Sequence, residues 1–248
     1  VIWNHGSGYL EAPQTTWNNS PEVKNPEGWP YEKTRGIAFN ETQHVYLSNQ
    51  YLTETLDLAC TNLLGGKKFA ILGLDACLMS MAEYCALLEP YAHYLVASQE
   101  VGWGWGWNYA EAFRPLSKGT LSPRDLAIHI VESYKKEMLG DFVPEAYKKY
   151  HRLYDFTLAA LDLAKTNQLI IAINNLSKHL KERLEIGDQR LRNTLRAVRS
   201  NSALCTWFYE NNYIDLFQFC ESLHNKLPND TQLMPLLNAV EVAIITIV

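Results

Sequence analysis

The amino-acid sequence predicts an α/β fold, a mainly parallel sheet flanked by helices, followed by a mostly helical C-terminal region. Two short runs, residues 69–74 and 94–97, are apolar without polar alternation, which is typical of strands buried on both faces of a parallel sheet. Helical spacing of apolar residues over 49–64 and 78–89 places a helix before each run. Strands and helices that alternate with short connections indicate an α/β layer fold.

The remaining elements follow from local patterns. Residues 1–4 form a strand end, and 9–36 form a long loop rich in Pro, Asn, Gly and Trp. The residue pair Ser-Pro at 122–123 starts a helix that continues to about residue 139. A short strand is predicted at 154–157, and the residues after it are mostly predicted as helix, over 158–185, 187–200 and 213–226.

The change in composition along the chain predicts two parts. We expect an α/β core at 1–145 and a mostly helical region at 146–248 that packs on it. The chain opens at Val1 in strand-like sequence and closes with a strand-like run at 243–248. Natural chains rarely start and stop inside β-structure, so we expect a piece of a longer polypeptide.

Composition excludes several classes of function. Of 248 residues, 47% are apolar and 20% are charged, which is ordinary for a globular protein and excludes disorder. Since 22 basic residues face 27 acidic ones, the net charge of −5 gives no electrostatic argument for nucleic-acid binding. No window approaches the ~18 consecutive apolar residues of a membrane helix.

The cysteines and histidines do not form a metal-binding or disulfide pattern. The cysteines are odd in number, and no two form a Cys-x-x-Cys pair, which argues against a disulfide framework or a zinc knuckle. No His-x-x-x-His spacing occurs, so we do not expect a zinc site. The cysteines outside the candidate site lie in apolar helical context and are expected to be inert: Cys60, Cys85, Cys205 and Cys220.

Two candidate catalytic residues each follow a predicted buried strand. His5 follows residues 1–4, and Cys77 follows the strand that ends near residue 74. Because the carboxyl ends of parallel strands form the ligand crevice, both side chains should face one pocket. A thiolate beside an imidazole can attack a peptide carbonyl. Cys77 is also predicted at the start of a helix, where the positive end of the helix dipole would lower the thiol pKa.

Simpler interpretations of both residues remain open at this point. A cysteine at an apolar helix start is most often a buried small hydrophobic residue, and His-Gly is most often a turn. Three tryptophans at 103, 105 and 107 alternate with glycines. They are consistent with the wall of a peptide cleft, with a sugar-binding platform, or with simple packing of a rigid loop.

Several short sequence segments, in their order along the chain, carry more information than the positions of His5 and Cys77 alone. They are Trp-Asn-His-Gly-Ser-Gly at 3–8, Arg-Gly-Ile-Ala-Phe at 35–39, Gly-Leu-Asp-Ala-Cys-Leu-Met at 73–79, Ser-Gln-Glu at 98–100 and Gly-Trp-Asn-Tyr at 106–109. In this order they resemble the clostripain-like cysteine peptidases of the caspase-like protease group. The segment Asp-Phe-Thr-Leu-Ala-Ala-Leu-Asp-Leu at 155–163 resembles a downstream strand-to-helix segment of that family.

The resemblance implies a thiol protease, a hydrolase that needs no cofactor. It implies that Cys77 is the nucleophile, that His5 is the catalytic histidine, and that the backbone N–H groups of Gly6 and Cys77 form the oxyanion hole. It also implies a strand–helix unit before the histidine strand, which residues 1–248 lack. A catalytically inactive peptide- or glycan-binding module is the alternative, and an acyl transferase could use the same dyad.

The resemblance also implies a substrate pocket. Asp75 matches the family's acid that helps bind Arg or Lys of the substrate, and Ser98 and Glu100 are further candidate substrate-binding residues. Family members commonly carry a second acid where this sequence has Ala110; Glu100 or Glu111 could replace it. Cleavage is therefore expected after Arg or Lys.

The resemblance further implies a zymogen. Relatives are often cut between the histidine and the cysteine, and the loop at 9–36 offers Lys24, Lys33 and Arg35 for self-processing. Many relatives are secreted, so a secreted or periplasmic location is favoured by resemblance alone.

Overall fold

The computed structural model describes residues 1–9, 37–40, 45–102, 106–119, 121–140, 156–208 and 213–248. The chain divides into two compact units, Val1–Leu161 and Asp162–Val248. The boundary expected at residue 145 falls between 141 and 155, outside the described residues. No helix in the described part of the chain is both long enough and apolar enough to cross a membrane.

Strands and helices are numbered in chain order. The strands are β1 (Ile2–Trp3), β2 (Ile37–Asn40), β3 (Val45–Leu47), β4 (Phe69–Asp75), β5 (Ala92–Ala97), β6 (Ala159–Asp162), β7 (Trp207–Phe208) and β8 (Tyr213–Ile214). The helices are α1 (Asn49–Asn62), α2 (Ala82–Leu88), α3 (Tyr109–Phe113), α4 (Pro123–Met138), α5 (Thr166–Glu185), α6 (Gln189–Arg199), α7 (Leu216–Lys226) and α8 (Met234–Ile247).

A four-stranded sheet organises the first unit and confirms the predicted fold class. Its strand order is β1-β4-β5-β6, and β4 pairs in parallel with both β1 and β5. Trp3 lies opposite Asp75, and Leu74 lies opposite Ala97. The carboxyl ends of these three strands therefore meet at one edge of the sheet, where both candidate catalytic residues follow.

One face of this sheet is covered by α4, which packs against β4 and β5 and against α3. Trp107 is buried in the resulting core with Ile130, Tyr134 and Met138. A β-carbon at Gly73 would lie 3.1 Å from the Trp107 indole, so the strand carries no side chain where the ring packs. Trp107 is thus a core residue and not a cleft wall; residues 103 and 105 lie outside the described residues.

The second unit is built from helices. Helix α5 packs against α6 and α8, and α7 packs against α6 and α8. Two of these helices begin at an aspartate whose carboxylate accepts a backbone N–H of the first turn, Asp188 at α6 and Asp215 at α7. The buried residues of α8 recur every three or four positions, which places one face of the helix in the core; they are Leu237, Val240, Ala243 and Ile247.

Two predictions in this half of the chain were wrong. The strand-like run at 243–248 is the end of helix α8, because the helical spacing of its buried residues outweighs its content of β-branched side chains. The helix expected from residue 158 begins only at Thr166. Residues 159–162 instead form the strand β6, and Asp162 then accepts the Ala164 N–H at 3.0 Å, which starts a short 3₁₀ turn.

Candidate active site

The loop that carries His5 is held by strand β2. The His5 carbonyl accepts the Ala38 N–H at 3.0 Å, and Gly6 forms an isolated bridge with Ile37. On its other side the His5 N–H donates to the Asn4 side chain at 2.6 Å. The described residues of the motif at 35–39 therefore have a structural role, because they fix the backbone that carries His5.

Gly6 brings this loop into contact with the cysteine loop. A β-carbon at Gly6 would lie 2.4 Å from the Cys77 carbonyl oxygen and 2.9 Å from the Met79 sulfur. Real β-carbons essentially never come so close, so only glycine fits without movement of the backbone. The backbone segments that follow β1 and β4 are therefore in close contact at Gly6 and Cys77, the two residues expected to form the oxyanion hole.

Cys77 lies in a turn directly after β4 and not at the start of a helix, since α2 begins only at Ala82. The expectation that a helix dipole lowers its pKa is therefore wrong. Leu78, the next residue, is buried and has φ of 62°, a left-handed conformation that is strained for a leucine.

Burial raises the pKa of the Cys77 thiol, and three backbone groups act against that rise. They belong to Gly102, to Cys77 itself and to Gly6. The negative charge of Glu100 raises the pKa further. The Gly102 N–H lies 3.2 Å from the Cys77 sulfur, and the Gly102 carbonyl lies 3.7 Å from it. Since the Gly6 and Cys77 backbones both interact with this sulfur, the N–H groups expected to form the oxyanion hole lie beside it.

Asp75 is buried at the end of β4, with 8% of its surface exposed. One carboxylate oxygen accepts two hydrogen bonds, from the Trp107 N–H at 2.8 Å and from the Tyr109 hydroxyl at 2.7 Å. Burial raises the pKa of Asp75, and these two bonds offset part of the rise. Burial and the neighbouring carboxylate raise the pKa of Tyr109, which keeps the phenol a hydrogen-bond donor.

The other predicted substrate-binding residues have different surroundings. The Ser98 hydroxyl donates to the Glu100 carbonyl at 2.9 Å and contacts the Thr157 hydroxyl at 2.9 Å. The Glu100 carboxylate accepts the Val101 N–H at 2.7 Å, next to the thiol whose pKa it raises. Glu111 instead pairs with Arg114 at 2.9 Å, with both side chains about half exposed.

Sequence reasoning missed several residues that support the site. Gly102 and Thr157 lie 25 and 59 positions along the chain from the residues they contact, Cys77 and Ser98. Both pairs join the ends of different strands, so no local pattern indicates them. The one available signal for Thr157 was its place in the segment at 155–163 that resembles the family.

Metal and disulfide chemistry receive no support from the described residues. Within them, no group of three or more His, Cys, Asp or Glu side chains could hold a metal ion. Burial raises the pKa of Cys85 to about 12. The cysteines outside the site are all free and buried: Cys60, Cys85, Cys205 and Cys220.

Solved structures with the same fold are cysteine proteases of distant sequence. A B. fragilis cysteine protease is 14% identical with a TM-score of 0.51, and the match covers 85% of this chain and 75% of that chain. A secreted cysteine protease from Bacteroides thetaiotaomicron, in complex with an irreversible peptide inhibitor, is 18% identical with a TM-score of 0.52. That match covers 99% of this chain and 55% of the other, so this chain spans about half its length.

A further match, described as an inactive zymogen protease from Parabacteroides distasonis, is 14% identical with a TM-score of 0.49. It covers 97% of this chain and 51% of that chain. None of the curated proteins matches this sequence. The sequence model of the clostripain family, in contrast, matches residues 1–240, nearly the whole chain. The chain therefore belongs to the clostripain family.

Proposed function

We propose that this protein is a cysteine endopeptidase that uses Cys77 and His5 and cleaves after Arg or Lys. The observation that carries the proposal is the contact of Gly6 with the Cys77 loop, where a β-carbon would lie 2.4 Å from the Cys77 carbonyl. It sets two backbone N–H groups beside a thiol at the carboxyl edge of the sheet. Family membership supports the same activity.

The chemistry divides peptide hydrolysis into two steps. The Cys77 thiolate attacks the scissile carbonyl, and the Gly6 and Cys77 N–H groups stabilise the negative oxygen that forms. His5 delivers a proton to the departing amine, and the C–N bond breaks to leave a thioester on Cys77. His5 then takes a proton from water, which attacks the thioester and releases the acid product and the thiol.

Substrate preference follows from Asp75. A carboxylate taken out of water binds a cation strongly and discriminates against neutral side chains, because they leave its charge unpaired. The Trp107 N–H and the Tyr109 hydroxyl hold the Asp75 carboxylate in place. Glu100, close enough to the thiol to raise its pKa, is the better candidate for a second acid than Glu111, which pairs with Arg114.

The broader biological setting is part of the proposal. We expect a monomer that acts on peptides or proteins and is made as a zymogen, cut within residues 9–36, of which 10–36 lie outside the described residues. A secreted or periplasmic location is in keeping with the matched B. thetaiotaomicron protein, which is described as secreted.

The test is covalent labelling with peptidyl electrophiles that carry Arg, Lys or Gln next to the reactive group. We expect one adduct on the wild-type protein with the Arg and Lys probes, little with the Gln probe, and none on Cys77→Ala. His5→Ala should label far more slowly, since it lacks the general acid–base. Cys60→Ala, at another buried free cysteine, is the matched control and should label like the wild type.

The outcome also separates the alternatives. If the folded protein, cut within 9–36, forms no adduct with any probe, the proposed activity is wrong. The protein would then be assigned as a catalytically inactive binding module. Release of the acyl group onto an added amine in preference to water would change the assignment from hydrolase to acyl transferase.

A further inference from the structure

One hydroxyl group, that of Thr157, contacts three groups of the segment that follows β5. Its oxygen lies 2.9 Å from the Ser98 hydroxyl and 3.1 Å from both the Gln99 N–H and the Glu100 N–H. Thr157 comes just before β6, so this contact joins the chain ahead of one strand to the end of its neighbour. One side chain thus contacts three consecutive residues, and the Glu100 N–H also lies 3.2 Å from the Ser98 oxygen.

The protons of the two hydroxyls can be assigned from their partners. The Ser98 hydroxyl donates its one proton to the Glu100 carbonyl at 2.9 Å. The Thr157 hydroxyl must then donate to the Ser98 oxygen, and its own lone pairs accept the N–H groups of Gln99 and Glu100. Valine at 157 would keep the shape of the side chain and lose all three contacts.

Residues 98–100, the segment that Thr157 contacts, are hydrogen-bonded through two carbonyl groups to the loop that carries Cys77. The Ser98 carbonyl accepts the Met79 and Ser80 N–H groups at 2.8 Å each, and the Glu100 carbonyl accepts the Leu78 N–H at 3.3 Å. Two residues further on, the Gly102 N–H points at the Cys77 sulfur at 3.2 Å. The position of this donor therefore depends on the turn that Thr157 holds.

We propose that Thr157 is a positioning residue for the nucleophile: its hydroxyl holds residues 98–102 so that the Gly102 N–H stays on the Cys77 sulfur. An N–H donor at this sulfur favours the thiolate over the thiol. Because the donor is held before reaction, no loop has to be ordered when the charge forms. The inference rests on the proposed function only in so far as the thiolate is the reacting group.

The test is the pH profile of Cys77 alkylation by iodoacetamide, read by mass spectrometry on the peptide that contains Cys77. For Thr157→Val we expect a profile displaced to higher pH and a rate about fivefold lower at neutral pH, the change that one lost hydrogen bond of about 1 kcal/mol produces. Thr157→Ser keeps the hydroxyl and should restore the wild-type profile. Thr194→Val, which removes a hydroxyl bonded to the Arg190 carbonyl on α6, should change nothing.

The charged and titratable groups near the thiol are unchanged by these variants. They include Glu100 on the same segment and Tyr134 on α4; the variants also leave His5, on the loop after β1, in place. A displaced profile therefore reports a changed position of residues 98–102 and not a change in the charges near the thiol. If Thr157→Val does not fold, Ser98→Ala removes the middle hydroxyl and should displace the profile in the same direction.

Superimposable profiles for the wild type and the folded Thr157→Val protein, or for the wild type and Ser98→Ala, would overturn the inference. A pH profile of Thr157→Ser displaced as far as that of Thr157→Val would also overturn it. Peptide cleavage is not part of this readout. Failure of the proposed peptidase activity would leave the comparison of profiles intact, and failure of the Thr157 role would leave cleavage by the wild type intact.

Discussion

The two units of the chain differ in the polar groups they bury. Among the described residues, the buried carboxyl groups are Asp75 and Glu137, and both lie in the first unit. Burial raises the pKa of each. Among the described residues of the second unit, the buried polar residues are Thr166 and Ser222, and the central carboxylates remain partly exposed to water.

Those partly exposed carboxylates belong to Asp188 and Asp230, which share the guanidinium of Arg183. For Asp188 the Leu191 N–H and the Arg183 bonds lower the pKa, and for Asp230 the Arg183 bonds and charge outweigh the opposing effect of burial. Taking a charged carboxylate out of water costs several kcal/mol. Either close partners stabilise the charge, or the pKa of the buried group rises. The first unit thus holds Asp75 and Glu137 with raised pKa values, Asp75 at the proposed site, whereas the pKa values of Asp188 and Asp230 in the second unit are lowered.

The largest effect should come from glycine substitutions in the two units. Gly6→Ala must move the backbone away from the Cys77 carbonyl, and we expect labelling by the Arg probe to slow by about 10²–10³-fold, as for loss of an oxyanion donor. Gly187→Ala in the second unit meets nothing within 4 Å but has φ of +85°. It should lose roughly 1–2 kcal/mol of stability and label at the wild-type rate. Equal labelling rates for the two variants would remove the special role of Gly6.

A smaller but still large effect is expected for Asp75→Asn. Cleavage after Arg should lose at least about 30-fold in kcat/KM, the equivalent of the ~2 kcal/mol lost when one member of a buried charge pair is truncated. Cleavage after a neutral residue should change little.

The raised pKa of Asp75 also predicts a pH dependence. As pH falls, Asp75 takes up its proton at a higher pH than an ordinary aspartate and loses its attraction for a cation. KM for an Arg substrate should therefore rise with acidification in the wild type and stay flat in Asp75→Asn. A parallel rise in both proteins would place the titrating group elsewhere.

The smallest effect should come from Arg183→Gln in the second unit. Because their pKa values are lowered in the folded protein, Asp188 and Asp230 contribute stability above the unfolded aspartate pKa of about 3.9, and that stability is lost as pH falls through the lowered values. The variant should melt below the wild type at neutral pH, and the gap should close in acid. Lys178→Gln, which removes an exposed pair with Glu182 at 4.0 Å, should have almost no effect.

Local sequence pattern predicted the three parallel strands whose ends carry the candidate residues, but not β2, which holds the His5 loop. The apolar runs that became β4 and β5 lack polar alternation, and such runs indicate buried parallel strands. The order of strand and candidate residue then predicted that His5 and Cys77 follow neighbouring strand ends, as they do.

Contacts between distant parts of the chain could not be predicted this way. The Thr157 hydroxyl and the Gly102 N–H reach their partners through the folding of separate strands, and the residue types alone do not specify such contacts. The helix at the end of the second unit was missed for a related reason. Its run of isoleucines favours strand locally, and only packing against other helices decides for the helix.

The most direct test of the account is digestion of a mixture of peptides of varied sequence, with the new chain ends identified by mass spectrometry. The account predicts that the wild-type protein, cut within 9–36, releases peptides that end in Arg or Lys, and that Cys77→Ala releases none. Cleavage that persists in Cys77→Ala, or a folded and cut wild-type protein that releases no peptide, would contradict it.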